Sequence, residues 1–215
     1  MSCSPEAPVV CDGFYRDPDA IRSWVLGQSF SNAGKYSFPG WQADKVLGSP
    51  EIVEKIQAAM GFPICVDRDK YTFGGVRVIT ELSGRHSKVH ADSVSDWAAM
   101  VYLTPQPDLA HGTGFFRHIR TGLHGPPDVF EALHMGFATP HEVLTELVYP
   151  DVSRPEAWEL TDEVRPYYNR FVAFPGARRF HAPLGGGGTT VVAARMTHMF
   201  FFDRAREVRP QLIDA

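Results

Sequence analysis

From Tyr71 onward the chain changes texture, and that change restricts the fold more than any other feature: short runs rich in Val, Ile, Thr and Phe are broken by Gly, Pro and Ser. β-Branched and aromatic side chains suit a pleated, half-buried surface, and turn formers between them cut the sequence into short strands. Candidate strands cover residues 76–80, 88–91, 97–103, 114–119, 171–174, 180–182 and 190–202, the last long enough to include bends. Short strands joined by turns predict a mainly β chain folded as a double-sheet jelly roll.

The N-terminal third is different. Asp17-Pro18-Asp19 offers an N-cap, a proline at the first helical position and an early acid, with Ile21, Trp24 and Val25 at helical spacing, so a helix runs to about Gly27. Ser49-Pro50-Glu51 repeats the signal, and Ile52, Val53, Ile56 and Met60 form a stripe that Gly61 ends. Between these helices, residues 37–41 form a turn-rich aromatic loop, either a pocket rim or a packed connection. Residues 127–135 and 140–148 carry helical signals inside the strand-rich part. A helical insertion at about 121–166 is therefore expected, as a cap over a site or as a buttress on the sheet. With 215 residues, the chain suits one domain, 1–215. In it, about 1–70 is helical support and about 71–202 is the jelly roll, giving a mainly β fold with flanking helices.

Charge and cysteine content exclude several partners. A formal net charge of -4 with 21 Lys+Arg gives no basic field for a phosphate backbone, so a small-molecule substrate is expected rather than nucleic acid. Cys3, Cys11 and Cys65 form an odd, scattered set that fits neither a disulfide framework nor paired zinc-ligand spacing. The start of the chain lacks a basic segment followed by an apolar one, and no charge-free run reaches transmembrane length. These features predict a cytoplasmic protein without a membrane partner.

The chemistry starts at His90-Ala91-Asp92. On an extended strand, side chains two apart share a face, so His90 and Asp92 can grip one ion. A His-x-Asp pair with a distant His makes the facial triad that leaves three positions of an octahedral iron(II) open. Alone the pair is a weak motif, more commonly a surface or hydrogen-bonded couple. His181 follows a strand-like run, and Arg195 and Thr197 lie beyond it, with Arg195 fourteen residues after His181. A hairpin through Gly185–Gly188 would set the two strands side by side. Arginine's planar fork suits a carboxylate such as the remote one of 2-oxoglutarate, and Thr197 on the same strand face can add a hydroxyl.

His90-Ala91-Asp92, then His181, then Arg195-Met196-Thr197 resembles the signature of the iron(II)/2-oxoglutarate dioxygenases. The flanking text is similar to the prolyl-hydroxylase-like branch: Val101-Tyr102-Leu103-Thr104, Gly112-Thr113-Gly114-Phe115-Phe116 and Phe171-Val172-Ala173-Phe174-Pro175-Gly176. The chain also resembles small bacterial members of an uncharacterised subfamily in its Tyr168-Asn169-Arg170-Phe171 segment. The resemblance covers roughly 71–202. It implies a distorted double-stranded β-helix of cupin-like form, with iron(II) on His90, Asp92 and His181. It further implies 2-oxoglutarate and dioxygen as cosubstrates, and oxidation of a C–H bond in a small amino-acid-like or natural-product molecule with release of succinate and carbon dioxide. Hydroxylation is the default outcome, with ring closure and desaturation using the same ligands.

Other residues carry weaker readings. Tyr102 could donate its hydroxyl to 2-oxoglutarate or be a core tyrosine. Arg77, Arg85, Arg117 and His118 lie on or beside predicted strands near the triad, where they can face the pocket and bind a substrate carboxylate or be solvated, and Arg117 is the leading candidate for that carboxylate. Should Arg195 not anchor the keto acid, Arg117 or Arg179 would be next in line. His86 and His90 form a poor chelate on a strand, and His111, His124, His134, His141 and His198 read as surface or core histidines. The Gly185–Gly188 run lacks the Gly-Lys-Ser/Thr of a phosphate loop and reads as a flexible turn. Two alternatives stand beside the oxygenase: a cupin-like metal-binding or sensing protein without turnover, and a 2-oxoglutarate-independent metalloenzyme.

Overall fold

A computed structural model describes residues 6–33, 40–84 and 87–205. Residues 37–39 of the aromatic loop, Cys3, Arg85 and His86 lie outside the described residues. In chain order the elements are β1 (Val9–Cys11), α1 (Pro18–Leu26), β2 (Phe30–Asn32), β3 (Trp41–Ala43), α2 (Pro50–Met60), β4 (Ile64–Cys65), β5 (Phe73–Ile79), α3 (Glu81–Gly84), β6 (Trp97–Tyr102), β7 (Thr113–His118), α4 (Val129–His134), α5 (Pro140–Val143), β8 (Trp158–Val164), β9 (Phe171–Phe174), β10 (His181–Pro183) and β11 (Arg195–Arg204).

The helix starts form where the sequence places them. Asp17 accepts the Ala20 N–H at 2.9 Å to cap α1, and Gly61 closes α2 in the left-handed conformation at φ 71°. The larger antiparallel sheet runs β1-β9-β6-β11-β5-β3-β2, with β4 on the far end of β11. Its axis is β11, which pairs with β5 on one side and β6 on the other. A smaller sheet, β10-β7-β8, faces it. Two facing antiparallel sheets make this a jelly roll.

Period-two alternation divides the larger sheet. Val76, Val78, Ala99, Val101, Met196, Phe200 and Phe202 point outward into a core shared with Val25 of α1 and Ile52, Ile56 and Met60 of α2. Ala98, Tyr102, Val172 and Phe174 point inward and meet Phe115 of the smaller sheet. The outer face of the smaller sheet is covered by Val148, which packs with Val89, Trp158, Phe180 and Ala182. The segment before β8 thus packs on the back of the smaller sheet. No helix among the described residues is long and apolar enough to cross a membrane.

Besides the short strands β1–β4 that the N-terminal third adds to the larger sheet, three features differ from the sequence reading. Residues 88–91 do not form a strand; His90 makes a single bridge to His181, through reciprocal N–H···O bonds of 3.1 and 2.8 Å. Residues 190–194 turn before β11 begins, with the Ala194 N–H bonded to the Thr190 carbonyl at 2.8 Å. The third difference is β8, a strand that the polar run Trp158–Val164 had concealed.

Candidate metal centre

Three side chains converge between the sheets. One ligand atom from each of His90, Asp92 and His181 can be chosen so that all lie within 4.8 Å of one another. The His90 Nε2 is 3.9 Å from one Asp92 oxygen, and the His181 Nε2 is 3.8 Å from the other. These separations are too long for hydrogen bonds and suit atoms that share a common partner. Each ring is oriented by its other nitrogen: the His90 Nδ1 lies 3.0 Å from the Lys88 carbonyl, and the His181 Nδ1 lies 2.9 Å from the Arg179 carbonyl. A carbonyl only accepts, so Nδ1 carries the proton and Nε2 presents its lone pair inward, the orientation usual for a metal-binding histidine.

Asp92 comes from a loop rather than a strand, and the Phe174-Pro175-Gly176 turn holds it. Its N–H donates to the Gly176 carbonyl at 2.9 Å. A Cβ built on Gly176 would lie 2.0 Å from Asp92 Oδ2, so the carboxylate occupies the space that glycine leaves. That Oδ2 is buried and has no hydrogen-bond partner among the described residues. A buried, orphaned carboxylate oxygen is costly unless an ion satisfies it.

The electrostatics agree. Burial, reinforced by the neighbouring His181, lowers the pKa of His90, and burial pushes His181 down to about 4, so both rings are neutral and able to ligate at neutral pH. Burial raises Asp92, against the opposing pull of His90 and Arg77. Neutral nitrogen donors with one carboxylate fit a divalent first-row metal such as iron(II).

Arg195, at the start of β11, lines the same cavity of about 60 Å³ as all three cluster residues, together with Thr197. Its Nε donates to the His111 carbonyl at 2.9 Å, and its Nη2 reaches the Gly112 carbonyl at 3.4 Å and Thr113 Oγ1 at 3.3 Å. Tyr102 is buried, with its hydroxyl 2.7 Å from Thr113 Oγ1 and its ring 5.3 Å from the Arg195 guanidinium carbon. Burial lowers the Arg195 pKa and raises that of Tyr102. The two belong to one polar cluster on the inner wall.

The route from His181 to Arg195 is not the hairpin inferred from the glycine run. β10 pairs with β7, whereas β11 pairs with β5 and β6, so the two residues sit on opposite sheets and face one cavity. The glycines extend the chain past the end of β5: the Gly187 N–H donates to the Ile79 carbonyl at 3.0 Å, and the Glu81 N–H to the Gly188 carbonyl at 2.8 Å. A Cβ on Gly186 would come within 2.0 Å of the Thr80 carbonyl oxygen, so the run is a close-packed crossing rather than a flexible turn.

Arg117 lies elsewhere. Its Nε is 2.7 Å from Oε2 of Glu159, the residue directly opposite on β8, and this cross-strand pair holds it away from the cavity. Arg179 lies over the Phe115 ring at 3.9 Å and reaches Asp162, also off the cavity wall. His118 points to the back of the smaller sheet, 3.1 Å from Asp151. Of the described arginines weighed from sequence, the one that joins Arg195 in the cavity is Arg77 on β5. Period-two alternation from Val76 and Val78 could have found it, as could the glycine of the Phe-Pro-Gly turn, had its proximity to Asp92 been readable.

No curated protein matches the chain. In fold it is similar to HygX from Streptomyces hygroscopicus, solved with nickel, 2-oxoglutarate and hygromycin B bound. The TM-score is 0.50 at 12% identity, covering 91% of this chain and 82% of that one. It also resembles the viral collagen prolyl hydroxylase vCPH from Paramecium Bursaria Chlorella virus-1 in its 2OG complex, with a TM-score of 0.43 and 14% identity over 94% of this chain and 98% of that one. The model of a family of unknown function, DUF6445, matches residues 3–184, a span that includes all three cluster residues, and the protein belongs to that family.

Proposed function

We propose that the protein is a non-haem iron(II)- and 2-oxoglutarate-dependent oxygenase of the prolyl-hydroxylase-like branch. In this reading it hydroxylates an unactivated C–H bond of a small amino-acid-like or natural-product molecule and releases succinate and carbon dioxide. The observation that carries the reading is the convergence of His90, Asp92 and His181 around an orphaned Asp92 oxygen, in a cavity that also holds a buried arginine. HygX, similar in fold, binds nickel and 2-oxoglutarate, and the same ligand classes fit the donors present here.

Each residue then has a task. His90, Asp92 and His181 hold the metal, with ring tautomers fixed by the Lys88 and Arg179 carbonyls. Arg195, oriented by the carbonyls of His111 and Gly112, takes the remote carboxylate of 2-oxoglutarate, and the Thr197 and Tyr102 hydroxyls add to the same wall. Bound iron(II) supplies the redox chemistry that joins dioxygen reduction to oxidative decarboxylation of 2-oxoglutarate and C–H oxidation. Ala98, Phe174, Met199 and Phe201 line the cavity with apolar surface and exclude water from it. One domain, 1–215, carries the whole apparatus, and the exposed free thiols of Cys11 and Cys65 suit a reducing, cytoplasmic setting.

Anaerobic addition of iron(II) and then 2-oxoglutarate, followed by visible spectroscopy, tests the reading. The expected result is the weak visible charge-transfer band of a chelated keto acid, with succinate formed on admitting air. His90→Ala, Asp92→Ala and His181→Ala should each lose the band while circular dichroism stays native. Equilibrium dialysis showing neither metal nor keto-acid binding by the wild-type protein would overturn the proposal.

A further inference from the structure

One hydroxyl of the polar cluster on the inner wall has no task in the functions assigned above. We propose that the hydroxyl meeting the remote carboxylate of 2-oxoglutarate beside Arg195 is that of Thr113, and that Tyr102 acts through it; this rests on the oxygenase reading and refines it.

Placement comes first. Thr113 opens β7 of the smaller sheet and is buried, 2% exposed. Phe115, two residues on, packs against Ala98 and Tyr102 of the larger sheet, so Thr113 shares that inward face. Among the described residues, Thr113 and Met100 line the cavity of His90, Asp92, His181 and Arg195. Tyr102 instead borders the neighbouring cavity of about 520 Å³, and Arg195 borders both. On the metal-cluster side of Arg195, the hydroxyl of this cluster that reaches the cavity is therefore Thr113's, with the phenol behind it.

The tally of protons and lone pairs supplies the second argument. A threonine oxygen has two lone pairs and one proton. Arg195 Nη2, which only donates, takes one lone pair at 3.3 Å, and the Tyr102 hydroxyl lies 2.7 Å away. A phenol is more acidic than an alcohol, so Tyr102 donates and fills the second lone pair. The Thr113 proton is left to the Met100 sulfur at 3.6 Å, a weak acceptor. A carboxylate on Arg195 outcompetes a thioether for that proton and leaves the other two bonds in place. Tyr102 and Arg195 thus polarise and aim the Thr113 hydroxyl, and every proton stays on its own heavy atom.

Calorimetric titration of 2-oxoglutarate into the zinc(II)-loaded protein, which does not turn over, is the test. Thr113→Val should weaken binding about ten- to a hundredfold, as expected for losing one hydrogen bond to a charged group, with zinc affinity unchanged. Thr113→Ser, which keeps the hydroxyl, should restore most of it. Tyr102→Phe should cost less than Thr113→Val and nothing further on top of it, because the phenol acts through the threonine. 2-Oxobutyrate has the same chelating end without the remote carboxylate, so its affinity should be equal in wild type and Thr113→Val. Circular dichroism checks folding, and Thr113→Ala replaces the Val variant should that one misfold. Unchanged 2-oxoglutarate affinity in Thr113→Val, a larger loss in Tyr102→Phe, or equal losses for the two keto acids would each overturn the proposal. Failure of the oxygenase reading looks different: the wild-type protein would take metal but neither keto acid.

Discussion

Gly176→Ala isolates the part of the site that a list of metal ligands leaves out. The new Cβ would lie 2.0 Å from Asp92 Oδ2 and 3.1 Å from the Ala98 Cβ, where real Cβ atoms essentially never approach below 3.0 Å. Something must therefore move by about 1 Å, and the carboxylate, at the end of a short side chain, moves more easily than the turn. A metal site tolerates about 0.5 Å of misplacement in its supporting groups. Disturbing such support typically costs about 10- to 100-fold in metal affinity, which is about 1.4 to 2.7 kcal/mol. The fold should pay less attention to the change: overpacking by one methyl costs about 1–3 kcal/mol and leaves the sheets intact. Competition titration of zinc(II) or anaerobic iron(II) against a chelator, with a thermal melt of the metal-free protein as control, measures both effects. A folded variant whose metal affinity stays within about twofold of wild type would refute the argument that glycine is there to seat the carboxylate.

Two further predictions follow from the buried charges. Arg195→Ala should weaken 2-oxoglutarate binding by about tens to thousands of fold, the cost of losing a buried charge-assisted pair, while metal affinity changes little; Arg195→Lys should recover only part, and unchanged keto-acid affinity in calorimetry would remove Arg195 from the site. In the metal-free protein His181 and His198 are lowered by burial to about 4 and His90 is lowered too, so between pH 6.5 and about 4 the unfolded chain binds more protons than the native one. Stability is then lost as pH falls through that window. Asp92, raised by burial, acts with the opposite sign but is one group against three. Urea midpoints of the metal-free protein should decline from pH 6.5 to 4.5, and a flat profile would contradict the assigned burial of the rings.

Where local chemistry decides structure, the sequence is transparent. Asp17-Pro18 and Ser49-Pro50 start α1 and α2, and the turn formers around Phe171–Phe174 leave β9 no room to slide. The cluster of His90, Asp92 and His181 stood out for a similar reason, since spacing and residue type survive even though His90 and Asp92 lie on an irregular segment held by one bridge. β8 was hidden because it is an edge strand. Five of its seven residues are exposed, and acidic side chains there lack the apolar alternation of a half-buried strand. Arg117 stands outside the cavity because strand parity says which side of a sheet a residue leaves from but not which partner captures it, and Glu159 lies directly across the pair. The path from His181 to Arg195 was misjudged because a fixed separation fits both a hairpin within one sheet and a crossing between two, and pairing partners far away in the chain decide which.

That crossing has a consequence for engineering. His90 and His181 belong to the bridge and strand of one sheet, and Arg195 to the other, so the span from the histidine cluster to Arg195 is a distance between two slabs rather than along one strand. The slabs are held apart by inward aromatics such as Phe115 and Phe174, whose ring centres are 5.0 Å apart and edge-on. Under the oxygenase reading those rings act as the spacer of a caliper. Trimming or enlarging them would retune which keto-acid chain length bridges the jaws, without touching a ligand or the anchor.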